Sequence, residues 1–238
     1  GYDTVEWAAA QPWCDGAVGL AGGSYIGISQ WLTAALQPPH LRAMFPVVSP
    51  SDTYEGMIYQ GGAFQLGFAL LWTLLFLAPD TASRAAQMET GDAAAAERLK
   101  VATDDMDVQY GHLPLHSLPS LRQEGAAGYY FDWIRHESRD VFWQAIDPTL
   151  AYGRIQVPAY NVGGWHDLFL LGTLENYTRM RKEGGSELAR RGQRLLVAPW
   201  AHGVYGGTYP DRSYGVRASL DSVDLTSLLV RYFDHYLK

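Results

Sequence analysis

The polypeptide has 238 residues, 47% of them hydrophobic, and 18 basic against 25 acidic side chains give a formal charge of −7. That size and composition can bury a sizeable core, as one large domain or as a core with an inserted subdomain. The acidic balance argues against a nucleic-acid surface, and a lone cysteine, Cys14, rules out an internal disulfide or a cysteine metal cluster.

One cysteine makes a reducing, cytoplasmic compartment the default expectation, with export still compatible. The opening stretch, Gly1 to Trp7, has neither the basic end nor the apolar run of a signal peptide. Asp15-Gly16 reads as a turn, leading into a short buried strand at Ala17–Ala21. A tight glycine turn follows, Gly22-Gly23-Ser24-Tyr25-Ile26-Gly27, then a helix over Ile28–Leu36 closed by Pro38-Pro39. Leu41–Val48 is a second apolar strand.

After Ser51 the composition turns helical, with candidate helices at Phe64–Ala78, Thr81–Met88 and Ala93–Lys100. The first is uncharged, but it is shorter than the roughly 20 residues a bilayer crossing needs, so a buried helix is expected. The α/β rhythm returns with a strand at Ile155–Val162 and a helix over Leu170–Lys182. A strand at Arg194–Ala198 and a last amphipathic helix over Leu220–Leu237 complete the pattern. The expected organisation is α/β: a first core segment at 1–50, an inserted helical cap at 51–150 and a second core segment at 151–238. Alternating strands and helices imply a parallel sheet with helices on both faces. Ligands bind such sheets at the carboxyl ends of the strands. Ser24, Asp167 and His202 each stand just past a predicted strand end.

A serine hydroxyl becomes a useful nucleophile when an imidazole takes its proton. The imidazole needs a carboxylate to fix its tautomer and stabilise its cation. Ser24, Asp167 and His202 occur in the chain order nucleophile, acid, base that strand-turn-helix hydrolases use. The N–H after the serine, that of Tyr25, can point at a developing oxyanion. The turn departs from G-x-S-x-G, because position 26 is isoleucine and the second glycine is Gly27.

Gly22-Gly23-Ser24-Tyr25-Ile26-Gly27 resembles the G-x-S-Y-x-G elbow of the bacterial cocaine esterase and X-prolyl dipeptidyl aminopeptidase family, which includes α-amino-acid ester hydrolases. Gln11 to Gly19 resembles its approach to the serine, and Asp140-Val141-Phe142-Trp143 its cap motif. Val162 to Asp167 is similar to its acid loop, Ala198 to Gly203 to its histidine loop, and Arg231 to Lys238 to its final core helix. The resemblance implies a partial α/β-hydrolase fold lacking the family's N-terminal sheet segment and C-terminal β-sandwich. It implies that a second oxyanion donor, a tyrosine hydroxyl, belongs to the absent segment, and one such donor is worth about 100- to 1000-fold in turnover. It also places an aromatic near Phe169 in the acyl pocket.

Each residue has a plainer reading. Asp167 can cap the following helix, and Trp165 can be core as readily as pocket. His166 points away from its neighbour in an extended segment and is read as structural. Phe64, Phe68 and Trp72 share i, i+4 spacing and make a core stripe more readily than a pocket wall. Phe68 and Trp72 are carried, with Trp165 and Phe169, as candidate pocket residues. Asp104-Asp105-Met106-Asp107 lacks a calcium loop's glycine and terminal glutamate. The expected activity is hydrolysis of a small-molecule carboxylic ester, or an amide, through an acyl-enzyme with no metal or organic cofactor. An α-amino-acid ester hydrolase, a β-lactam acylase and an X-prolyl peptidase remain alternatives, as does an inactive fragment or assembly module. No nucleic-acid or membrane partner is expected. Completion of the sheet by a missing segment, or by a second copy in a homo-oligomer, stays open.

Overall fold

A computed structural model describes all of residues 1–238. The chain divides into two compact units, one made of Gly1–Met57 with Gln144–Lys238 and the other of Ile58–Trp143. The first unit therefore also takes in residues 51–57 and 144–150.

In the first unit, α1 spans Tyr2–Ala9, β1 Val18–Gly23, α2 Tyr25–Ala35 and β2 Leu41–Val47. After the break come β3 at Tyr160–Gly164, α3 at Leu170–Glu183, α4 at Glu187–Arg191, β4 at Arg194–Ala198 and α5 at Leu225–Leu237. The four strands form one sheet in the order β1-β2-β3-β4, every pair parallel. Alternation along β2 serves both faces. Met44 joins Trp31, Tyr152, Ala159 and Met180 in a core under α2 and α3. Ala43 and Phe45 join Val162, Trp200 and Tyr232 in a second core under α5.

β3 begins five residues later than the expected Ile155. Residues Pro148–Arg154 form a 3₁₀ helix, and Pro158, with no N–H to donate, precedes the ladder. The last helix is not continuous. Asp224 adopts a left-handed conformation, φ 51°, ψ 55°, separating a turn at Leu220–Val223 from α5. Its carboxylate accepts the Ser227 N–H at 3.2 Å, so the break also caps the helix that follows.

The second unit is mainly helical, with a two-residue hairpin pairing Tyr59–Gln60 and Ala63–Phe64. The two helices expected around residues 64–88 are one continuous helix, Leu66–Gln87, of 22 residues. Pro79 does not end it. A π-helical turn at Thr73–Leu77 precedes the proline and absorbs it. By length and composition alone this helix reaches what a bilayer crossing needs, contrary to the shorter estimate from sequence. Its stripe Leu70, Leu74, Ala78, Ala82, spaced by four, is buried in this unit's core with Leu99, Leu121 and Tyr130. Phe64 lies in the hairpin and not on that helix.

Candidate active site

The turn between β1 and α2 is set by backbone fit. Ser24 holds φ 59° and ψ −127°. Its N–H donates to the Val47 carbonyl at 2.9 Å, and its carbonyl accepts the Gly27 N–H at 2.8 Å. A Cβ at Gly27 would lie 2.6 Å from that of Ser49, so this glycine lets α2 approach the end of β2. A Cβ at Gly22, where φ is 148°, would collide with Ile26. The spacing G-x-S-Y-x-G thus has a packing reason at each end. Gln30, 2% exposed, braces the turn from α2: its Nε2 donates to the Gly22 carbonyl at 3.0 Å, and its Oε1 accepts the Phe45 N–H at 3.2 Å.

Asp167 and His202 follow the neighbouring strands β3 and β4, and main-chain bonds stitch their loops together. Trp165 N–H donates to the Ala198 carbonyl and His166 N–H to that of Trp200, each at 2.9 Å. Gly164 has no room for a side chain against the Trp200 carbonyl. Trp200 is buried and donates its indole N–H to the Ala218 carbonyl at 2.7 Å.

The three side chains meet. His202 Nδ1 stands 2.8 Å from Asp167 Oδ2, and His202 Nε2 stands 2.9 Å from Ser24 Oγ. The Asp167 side chain is fully buried, while that of His202 is 28% exposed. Asp167 Oδ1 also accepts the Phe169 N–H at 2.7 Å, so the carboxylate holds the entry to α3 as well as the imidazole. With Nδ1–H donated to Asp167, Nε2 is the ring's acceptor, facing the serine hydroxyl. Burial pushes the nearby Tyr205 hydroxyl above its usual range, and the Asp167 charge adds to that shift.

The remaining candidates divide. Phe169 is 1% exposed, and its ring meets the His202 imidazole edge to face, with centroids 5.1 Å apart. Trp165 is 59% exposed and Tyr25, the first residue of α2, 55%. Phe68 and Trp72 belong to the second unit, where they stack on each other and Trp72 stacks on Trp133. His166 turns to Tyr214, whose hydroxyl is 2.9 Å from its Nε2. Asp140 and Trp143 order the end of the second unit: Asp140 meets His136 at 2.6 Å, and the His136 hydrogen bond holds its carboxyl below the usual range. Trp143 donates to the His136 carbonyl. No three His, Cys, Asp or Glu side chains converge as a metal site would require.

Two features of the site escaped the sequence. Gln30 looks like any helix polar residue, and only its burial between two strands reveals its work. Val48 carries φ 44°, rare for a β-branched residue, and its N–H donates to the Val162 carbonyl at 2.7 Å.

The parallel sheet, flanking helices and serine turn define a fold of the α/β-hydrolase type. An aminopeptidase from a marine-sediment Thaumarchaeota archaeon superposes with a TM-score of 0.66 at 20% identity, covering 99% of this chain and 37% of that one. A CocE/NonD family hydrolase from Staphylococcus aureus gives 0.56 at 24% identity, covering 99% and 31%. The family model of the X-Pro dipeptidyl-peptidase, or S15, family matches residues 1–204, and the chain belongs to that family. It is 29% identical to the cocaine esterase of a Rhodococcus species over 242 residues, which cover 99% of this chain but 40% of that protein.

Proposed function

We propose that this chain carries the acyl-transfer centre of a serine hydrolase acting on carboxylic esters. The observation that carries the proposal is the unbroken hydrogen-bonded chain from Asp167 through His202 to Ser24, at a turn held in a strained conformation. In this reading Ser24 Oγ attacks the ester carbonyl as His202 Nε2 takes its proton. Asp167 orients the ring and stabilises the imidazolium. The Tyr25 N–H, at the N-terminus of α2, donates to the oxyanion. His202 then protonates the leaving alkoxide. Water, deprotonated by the same imidazole, attacks the acyl-enzyme carbonyl and releases the acid from Ser24.

Ester chemistry is preferred over that of an aminopeptidase on the likeness to the Rhodococcus cocaine esterase, which spans 99% of this chain. Membership of the X-Pro dipeptidyl-peptidase family supports the wider class, a hydrolase of esters or peptides. Labelling with a fluorophosphonate, followed by peptide mapping, tests it. Modification at Ser24 that disappears in His202→Ala is the expected result. A folded protein that takes up no label would overturn the proposal for this chain and favour the assembly-module alternative.

A further inference from the structure

At the other end of β4 from His202, a groove of about 580 Å³ is lined by Tyr177, Arg181, Arg190, Arg191, Gln193 and Arg194. Arg194 opens the strand and Ala198 closes it, so about 13 Å of strand separates the groove from the histidine loop. The volume falls within the roughly 300–1,000 Å³ of small-molecule sites.

Its guanidinium groups are positioned by neutral acceptors. Arg190 Nη1 donates to the Gly184 carbonyl at 2.6 Å. Arg194 Nη1 donates to the carbonyls of Arg191 and Gln193 at 3.1 and 3.0 Å. Arg181 Nη1 donates to the Tyr177 hydroxyl at 3.1 Å, and the group lies 5.4 Å from that ring's centre. Only Arg191 meets a carboxylate, that of Glu187 at 3.0 Å on the open surface. Elsewhere Arg84, Arg98, Arg135, Arg179 and Arg212 each meet an Asp or Glu, while Arg42 and Arg122, one in each unit, donate to main-chain carbonyls. A chain of net charge −7 thus gathers three arginines without a carboxylate partner, Arg181, Arg190 and Arg194, in one concavity.

Basic residues at the ends of α3 and α4 complement the helix dipoles, which accounts for their places along each helix. It does not account for two helices and a strand converging on one groove. The floor is also hydrogen-bonded from within. Gln193, 4% exposed, donates to the Ala189 carbonyl at 2.7 Å and accepts from Asn161, itself 1% exposed, at 3.1 Å. Guanidinium forks are suited to phosphate oxygens, which accept paired N–H donors.

We propose that this groove binds a small molecule through adjacent phosphate groups, at a site separate from the serine centre. The test is calorimetric titration of the 238-residue chain with inorganic pyrophosphate at low salt. One saturable site is expected, weakened about tenfold by Arg181→Gln or Arg194→Gln, as loss of a charge-assisted hydrogen bond implies. Arg84→Gln, which alters a carboxylate-paired arginine elsewhere, should leave the affinity unchanged. A nucleoside diphosphate titrated in parallel distinguishes recognition of phosphates alone, with equal affinity, from recognition of a larger ligand, with tighter binding. If a variant fails to fold, arginine Nε–Hε resonances of the unaltered chain report instead. Shifts confined to Arg181, Arg190 and Arg194 support the site. Shifts spread equally to Arg84 and Arg98, or no saturation by about 10 mM pyrophosphate, would overturn it.

Discussion

Ser24 sits at φ 59° and ψ −127°, a conformation that costs a non-glycine residue about 1–3 kcal/mol. Glycine adopts it with little penalty. Ser24→Gly should therefore raise the thermal midpoint by about 2–12 °C while abolishing fluorophosphonate labelling. Ser24→Ala, which keeps the strain, should lose labelling with no such rise. Turnover of an activated ester should fall by roughly 10⁶ in Ser24→Ala or His202→Ala and by roughly 10⁴ in Asp167→Asn, the smaller loss reflecting the acid's indirect part. Gln30→Leu leaves the Gly22 carbonyl and Phe45 N–H without their buried partner, a cost of about 1–3 kcal/mol. Because those atoms flank the serine turn, kcat should drop with KM little changed, and steady-state kinetics on the folded variant would show it. Ser24, Asp167 and His202 were legible in the sequence because each follows an apolar strand at a glycine-marked turn. Gln30 and Val48 were not, since their roles lie in burial and torsion rather than residue type.

Elements were legible where local pattern and tertiary demand agree. Arg194–Ala198 is an uninterrupted apolar strand with turns at both ends, and its observed bounds are the expected ones. α1 went unread because Gly1 offers no side-chain cap and its single buried residue is Val5. Helix Leu66–Gln87 reads in the sequence as two helices, Phe64–Ala78 and Thr81–Met88, because the pattern does not show the π-helical turn that carries the chain past Pro79. Its buried stripe predicts that Leu74→Ala destabilises the second unit by about 2–5 kcal/mol, readable in a urea titration. In the same unit, Arg98 bonds Glu124 at 2.6 Å and holds that carboxyl below its ordinary 4.5. The folded state thus binds fewer protons at this group than the unfolded one. The resulting stability is present above pH 4.5 and disappears as pH falls through the depressed folded value. Arg98→Gln should accordingly narrow the difference in thermal midpoint between pH 7 and acid conditions.

Over the whole molecule, α/β architecture with a helical insertion was readable from the shift in composition after Ser51, although residue pattern alone located neither border of the compact units. In the first unit, β1 and β4 are the outer strands of a four-stranded sheet. An outer strand presents main-chain donors and acceptors to any other strand. The 238-residue polypeptide should therefore self-associate at micromolar concentration. Sedimentation velocity should show a shift toward monomer in Ala21→Lys, which charges the exposed position of β1.

Ser24 and His202 touch across 178 positions of sequence, whereas His202 and Asp167 are 35 apart. During synthesis at about 5–20 residues per second, the serine turn precedes its imidazole by on the order of 10–35 s. Throughout that interval the nascent chain carries an unactivated hydroxyl. The acid and base, borne on adjoining strands, arrive together and last. In the proposed reading, that hydroxyl can be activated only once the histidine loop has been made and folded against it.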